Sequence, residues 1–347
     1  MSKSPSSPRT AIVCMVYNGY EYISEFILHH LVLCDHVFLI DHNSKADLRQ
    51  LNMENVTVVR SNHEAQFQSE CTNIVIEHFG IKQNYDWLFV LDIDEFLPFS
   101  SRTKLHQFLE KHNNTPVLQF HWRNGVPFYD QEKEHPKSLI DCKSIRFFHK
   151  QGRQYKSFVN IRKVGDNFFV PTGAHHIARI HAPFLSFIKS CKHYRAKTSE
   201  IALFHILAFN KDSFVKKIKN YVEQMKYREH IVGQGGWMVR DYPDDFSGDE
   251  WLWYVANFRV SNPDEHYDVK TEYFEEHDVI GHLDKEAVLA LRERIFSFDT
   301  IEKQKALPEE KEYLSNKKDD RDVPGNIRWF TINTDYEILT VIPGEQK

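Results

Sequence analysis

The sequence predicts an α/β protein in which a mostly parallel, doubly wound sheet carries helices on both faces and is followed by a C-terminal helical extension. Three observations carry this. Short apolar runs rich in β-branched residues recur at AIVCMV, HVFLID, VTVVR and DWLFVLD, the pattern of strands covered on both faces. Stretches with helical spacing separate the first from the second and the third from the fourth. The resulting β-α-β-β-α-β order is that of an open parallel sheet, whose ligands bind at the carboxyl ends of its strands.

The first run, from residue 11, ends at the turn signal Tyr17-Asn18-Gly19. Ile23, Phe26, Ile27, His30 and Leu31 then mark one face of a helix from about Tyr20 to Leu33, because they recur at the three- and four-residue spacing of a 3.6-residue turn. HVFLID is the second strand and VTVVR, residues 56–60, the third. A helix is expected from about Ala65 to Phe79 and the fourth strand at residues 86–92. Beyond residue 100 the reading gives a helix around Lys104 to Lys111, a strand at PVLQFHW, a polar connection from Asp130 to Lys143 and aromatic-rich segments through Val170. Phe214, Ile218 and Tyr221 mark a basic helix from Asp212 to about His230, and the Trp-rich stretch 235–254 reads as a loop or lid. A helix at residues 286–296 and two strands, RWFTI and YEILTVI, close the chain. We therefore expect a frayed tail at 1–9, one domain over 10–220, and an extension or lid packed on it over 221–347.

Composition narrows the function classes. With 347 residues, 41% of them hydrophobic, and 13 each of Gly and Pro, the chain fits a globular fold rather than a disordered or collagenous one. A net charge of −5 lacks the basic excess of a general nucleic-acid binder. There is no apolar run of the ~18 residues a membrane span needs. Cys14, Cys34, Cys71, Cys142 and Cys191 form no C-x-x-C pair, so neither a disulfide framework nor a thiolate zinc site is indicated, and a reducing cytoplasm is the expected location. MSKSPSSPR leads into no long apolar core of signal-peptide type.

Polar residues gather where the strands run out: Tyr17 and Asn18, then Asp41 to Ser44, then Asp92-Ile93-Asp94-Glu95. In a parallel sheet these three segments converge on one rim. No G-x-G-x-x-G follows the first strand and no G-x-x-x-x-G-K-[ST] occurs, which disfavours a dinucleotide enzyme and a P-loop NTPase. If the fourth strand persists, Asp92 and Asp94 project to one side and Glu95 to the other. Such a pair suits a hard divalent cation whose remaining positions go to diphosphate oxygens and water. The plainer reading is an acidic, solvated end of a strand; the two polar clusters upstream favour a site.

CMVYNGYEYISEFILHHLVL, VFLIDHNS and DWLFVLDIDEFL resemble the amino-terminal half of the GT-A fold glycosyltransferases, closest to the family-two-like group and similar also to family ninety-two. WRNGV, KSFVNIRKV, the His175-His176 pair and LFHILAFNKDSFVKK resemble that group's later blocks in the same order, so the resemblance covers about residues 10 to 220. It implies a GT-A fold, a UDP-sugar donor, transfer with inversion at the anomeric carbon, Mn2+ or Mg2+ as cofactor, and a glycan or glycolipid acceptor, as in surface polysaccharide biosynthesis at the inner face of a membrane. Carried onto this chain, it places Tyr17 and Asn18 at the nucleoside pocket and Asp41 on the base or ribose. Asn43 and Gln68 fall on the same donor side. Asp94 becomes the direct metal ligand, Asp92 a second ligand or a contact to ribose or metal-bound water, and His205 the third ligand or a diphosphate contact. His205 opens the block that resembles an H-Y-x-x-K-S signature, but positions 206, 209 and 210 are Ile, Phe and Asn.

An attacking hydroxyl needs a proton acceptor. Asp130, Glu132 and Glu134, then His175 in the turn after Pro171-Thr172-Gly173, then Asp244, Asp245, Asp249 and Glu250 are the candidates, with Asp130, Glu132 and His175 preferred. His29 and His30, within an amphipathic helix, read as structural. Lys211, Lys216, Lys217 and Lys219 are either a cation source for a diphosphate or a solvated helix face. Trp237, Trp251 and Trp253 either stack on a sugar or pack half-buried. Two other classes stay open: a non-catalytic nucleotide-sugar or glycan-binding module, and a divalent-metal hydrolase with Asp92, Asp94, His175 and His205 as ligands.

Overall fold

A computed structural model describes residues 7–63, 66–128, 139–142, 144–147, 154–179, 194–225, 254–255, 275–277, 282–302, 330–334 and 337–341. In chain order its first half comprises β1 (Thr10–Val16), α1 (Tyr20–Leu33), β2 (His36–His42), β3 (Val56–Ser61), α2 (Gln68–His78), α3 (Ile81–Asn84), β4 (Trp87–Asp92), β5 (Glu95–Phe96), α4 (Arg102–Lys111) and β6 (Val117–Phe128). There follow β7 (Ser144–Phe147), β8 (Tyr155–Asn160), α5 (Ile161–Val164), β9 (Phe168–Phe169), β10 (Ala178–Arg179), β11 (Lys197–Thr198), β12 (Leu203–Ile206) and α6 (Lys211–Met225). β13 (Glu275–His277), α7 (Lys285–Phe296), β14 (Phe330–Thr334) and β15 (Glu337–Val341) complete the described chain.

The sheet runs β13-β7-β6-β8-β4-β1-β2-β3-β14-β15. Its centre, β3-β2-β1-β4, is parallel in register, with Met15 beside both Ile40 and Asp92. Alternation along β1 sends Ile12, Cys14 and Val16 into one apolar cluster and Ala11, Val13 and Met15 into the other. The first cluster packs under α1, α4 and α7, the second under α2 and α5, so both faces are covered as the uninterrupted apolar runs require. Antiparallel strands extend this centre on both sides, β8, β6, β7 and β13 beyond β4 and the β14-β15 hairpin beyond β3. The segment expected as a helical extension thus carries α7 and the strands β13, β14 and β15 among the described residues. The tail to residue 6 and the stretch 235–253 lie outside them.

Two boundaries moved for physical reasons. α4 starts at Arg102 because the Ser101 hydroxyl accepts the Lys104 N–H, a standard N-cap. β6 continues past Trp122 to Phe128 because β12 and β7 both pair with its second half. Gly125 permits this: a Cβ there would lie 2.5 Å from the Phe147 ring, so only glycine lets the two strands approach.

The chain after β5 is tied to α1 by two histidines. His29 Nε2 donates to the Leu97 carbonyl at 2.9 Å, and His30 Nε2 accepts the Leu97 N–H at 3.3 Å. His30 Nδ1 lies 2.8 Å from the Phe26 carbonyl, so it carries the ring proton and the neutral ring is satisfied at both nitrogens. Both side chains are fully buried. Burial, reinforced by His282, lowers His29 to about 3, and burial, reinforced by His29, puts His30 well below the ordinary histidine range. Groups lowered in the folded state contribute stability that is intact above the unfolded pKa near 6.5 and is lost as pH falls. Each contributes about 1.4 kcal/mol per pH unit, so the pair is expected to cost about 4 kcal/mol between pH 6.5 and 5. Urea unfolding at those two pH values checks this, with His29→Asn halving the loss; stability that stays level over the interval would refute it.

Among the described residues no helix is long and apolar enough to cross a membrane, and no disulfide joins Cys14, Cys34, Cys71 and Cys142.

Candidate active site

The three strand ends meet on one rim as the parallel sheet demands. Asn18 takes a positive φ of 49° and Asn43 one of 55°, a conformation asparagine tolerates better than most residues. The Asn18 N–H donates to the Ser44 hydroxyl, and the Asn18 side-chain oxygen accepts from Tyr20 Oη and the Lys45 N–H, which fastens the end of β1 to the end of β2. Tyr17 lies ring to ring with His42 at 5.8 Å. Asp41 is turned inward: Oδ1 accepts the Ser44 N–H at 3.0 Å and Oδ2 accepts from Arg60 at 2.6 Å. Burial pushes its carboxyl up against the pull of Arg60. Arg60, itself buried, also donates to Asn43 Oδ1 and the Ser44 carbonyl. Asp41 therefore shapes the 41–44 loop instead of presenting its carboxylate at the rim.

The acidic tip differs from the alternation expected of a persisting strand. β4 stops at Asp92, residues 93–94 turn, and Glu95 begins β5, which pairs with β12. The turn divides the carboxylates between two sets of partners. Asp92, 37% exposed, accepts from Gln68 Nε2 at 2.9 Å on one oxygen and from Lys156 Nζ at 2.8 Å on the other. Gln68 in turn accepts the Gly173 N–H at 2.9 Å, linking Asp92 to the turn that carries His175. Glu95 folds back so that Oε2 accepts the Asp92 N–H at 2.7 Å, with Lys156 Nζ 3.3 Å away. Burial works against the Lys156 ammonium, yet the two carboxylates beside it hold it charged. Burial also pushes Glu95 up to about 8 despite that ammonium, so Asp92, held below the usual range by Lys156 against partial desolvation, is its ionised partner. Gly19 lies under the turn: a Cβ there would meet Val16 at 3.0 Å and Ile93 at 3.3 Å.

Asp94 faces the other way. β12 lies between β5 and β6, with His205 beside Glu95 on one side and Asn124 on the other. His205 Nε2 consequently sits 3.2 Å from Asp94 Oδ2, each side chain only 4% exposed. Its Nδ1 is 2.8 Å from Asn124 Oδ1, and Asn124 Nδ2 donates to the Val255 carbonyl at 3.2 Å. The Val255 contact fixes the amide orientation, so His205 Nδ1 donates to Asn124 and Nε2 is the ring nitrogen that faces the Asp94 carboxylate. Burial lowers the His205 pKa against the opposing pull of Asp94. Asp94 also accepts from Lys217 Nζ; although burial opposes its ionisation, Lys217 and His205 hold its carboxyl well below the usual range. Lys217 reaches it from α6, whose start is fixed by a reciprocal cap: Asn210 Oδ1 accepts the Ser213 N–H while Ser213 Oγ accepts the Asn210 N–H.

His175 stands near this centre and outside its ligand cluster. Its Nδ1 donates to the Tyr155 carbonyl at 2.6 Å, and Gly173, at φ 78°, makes room for the ring, since a Cβ there would lie 2.8 Å from it. Trp122 stacks on His205 at 4.4 Å and meets His175 edge-on at 5.7 Å, so the indole neighbours both imidazoles. Among the described residues no group of three or more His, Cys, Asp and Glu is arranged to hold a metal. Asp130, Glu132, Glu134, Asp244, Asp245, Asp249, Glu250, Trp237, Trp251 and Trp253 lie outside the described residues. Of the four lysines considered, Lys217 reaches the acidic tip, while Lys216 lies 3.8 Å from Glu21 on the surface. Sequence reasoning gave no role to Arg60, Asn124 or Lys156; each acts on a residue that it did single out.

A family model described as Glycosyltransferase family 92 matches residues 17–236, a span that runs from Tyr17 through Asp94 and His205 to beyond Lys217. No curated protein matches the chain.

Proposed function

The chain belongs to glycosyltransferase family 92, and from that premise we propose that it is a metal-dependent, inverting transferase of GT-A type that moves a sugar from a UDP-sugar to a glycan hydroxyl. A sugar donor and an acceptor are its substrates; the metal, the nucleotide and the stereochemistry are our reading. The observation that carries it is the opposition of Asp94 Oδ2 and His205 Nε2 at 3.2 Å. At that distance the carboxylate oxygen and the imidazole nitrogen can address one cation, the ring giving up its Nε2 proton as the ion binds, and Asn124 holds the ring from Nδ1, as a buried partner does for metal-bound imidazoles. One carboxylate oxygen and one imidazole nitrogen leave the other positions of a Mn2+ or Mg2+ shell to diphosphate oxygens and water, which is how such ions are commonly held in phosphate sites. When bound, the ion supplies electrostatic stabilisation of the charge that grows on the leaving diphosphate.

The chain's own residues do the rest. Asp94 and His205 hold the ion. Asp92, steadied by Gln68 and Lys156, stands at the exposed edge for ribose or metal-bound water, and Tyr17, Asn18 and Asn43 border the nucleoside. His175, held through Nδ1 by the Tyr155 carbonyl, is the preferred acceptor for the proton of the attacking hydroxyl, with Asp130 and Glu132 the other candidates. We place the acceptor among glycans or glycolipids of surface polysaccharide biosynthesis. A hydrolase with both histidines as ligands has less support, because His205 is turned toward Asp94 while His175 is tied to Tyr155.

Chelation with EDTA is expected to abolish acceptor-dependent UDP release and manganese to restore it. His205→Ala should raise the manganese concentration for half-maximal rate by at least about tenfold, the usual order for a lost metal contact. Full activity in EDTA would end the metal reading, and an unshifted titration would remove His205 from the site.

A further inference from the structure

Lys217 occupies the position on Asp94 that a dication would need. Its ammonium donates to Asp94 Oδ2, the same oxygen that faces His205 Nε2. The side chain is 36% exposed and hangs from the second turn of α6, so, unlike the fully buried Lys156, it has solvent into which to swing. It also lies 3.4 Å from the Leu207 carbonyl, a second acceptor on the near side of the helix.

Building on the metal reading above, we propose that Lys217 is a competing internal cation: it neutralises Asp94 while the donor is absent and passes to the donor diphosphate when a divalent ion takes Asp94. Two cations cannot share one carboxylate oxygen without strong repulsion, so an ion entering at Asp94 and His205 must displace the ammonium. The displaced group stays within a side-chain swing of the ion, and there the diphosphate oxygens bound to that ion carry the charge it can pair with. The ion and the nucleotide are thereby coupled beyond their direct contact. Each binds poorly alone, since the ion must evict a lysine that has nowhere equally favourable to go, and the diphosphate finds that lysine already engaged. The coupling is reciprocal by linkage. It keeps the carboxylate satisfied in the resting protein and reserves one positive charge for the leaving group.

The test is manganese binding to the full chain, followed by the electron paramagnetic resonance signal of free Mn2+, with and without UDP. For the wild type, UDP is expected to tighten manganese by tens of fold, within the usual range of coupling between sites. Lys217→Met is expected to bind manganese without nucleotide about tenfold more tightly than the wild type and to lose about tenfold of the UDP effect. Lys216→Met, one residue away on the surface, serves as the control for simple loss of charge and should behave as wild type. Manganese that binds Lys217→Met and wild type alike without UDP, or a Lys216→Met variant that matches Lys217→Met, would overturn the role of Lys217 and leave the metal reading standing. Absence of manganese binding in every arm, UDP included, would overturn both.

Discussion

Asp94→Asn is expected to lower turnover by about three orders of magnitude, roughly 4 kcal/mol of transition-state stabilisation, while leaving the fold in place. The substitution keeps the shape of a side chain that is only 4% exposed and retains an oxygen for Lys217, but it removes the charge that opposes His205 Nε2 at 3.2 Å. The backbone contribution is untouched: the Asp94 carbonyl still accepts the Ile206 N–H at 2.9 Å, so β12 stays docked beside the tip. Two readouts separate chemistry from folding. The urea midpoint should stay close to that of the wild type, and the thermal shift produced by UDP with manganese should vanish, since stabilisation by a bound ligand scales with its affinity. Asp92→Asn should be milder, because Gln68 and Lys156 can both still address the amide oxygen and the residue stands at the exposed edge. Turnover of Asp94→Asn within tenfold of wild type, or a larger loss for Asp92→Asn, would exclude Asp94 as the principal ligand.

The parts of this architecture that local patterning controls are readable in the sequence. β1, β2, β3 and β4 announce themselves because a strand buried on both faces must be apolar throughout, and their order alone brings Asn18, Asn43 and Asp92 to one rim. Features set by partners distant in sequence are not readable this way. β6 seemed to end at Trp122 since Gly125 and Pro127 are ordinary strand breakers, and only the approach of Phe147 to Gly125 explains the continuation. Asp41 faces inward because Arg60, on the neighbouring strand, supplies its counter-ion. The alternation that would align Asp92 with Asp94 fails at Ile93, where the chain must turn for β5 to reach β12. Lys156, within YKSFVN, looks like any strand residue that faces water; its burial follows from β8 running antiparallel to β4, which sets the start of one strand against the acidic end of the other.

That position of Lys156 leads to the largest expected loss of stability. Lys156→Met removes the ammonium that serves Asp92 at 2.8 Å and Glu95 at 3.3 Å while keeping most of the volume packed beneath the tip. Glu95 is fully buried and cannot turn to water, so it is left as an uncompensated carboxyl within reach of two others. Breaking a buried pair by deleting one partner costs about 3–5 kcal/mol, and that is the loss expected in urea unfolding at about pH 9, above the value near 8 to which burial raises Glu95, where its carboxylate is ionised beside the ammonium. The cause makes a second, sharper demand. If the cost is the stranded charge of Glu95 and not a packing defect, then Lys156→Met/Glu95→Gln should recover a large part of the loss, because a neutral amide needs no counter-ion. A purely steric role for Lys156 gives additive effects instead, with the double variant less stable than either single one. Recovery in the double variant would establish Lys156 as the internal cation that allows Asp92, Asp94 and Glu95 to crowd one turn. A single variant that loses less than about 1 kcal/mol, the scale of an exposed ion pair, would show that the turn holds its carboxylates by other means.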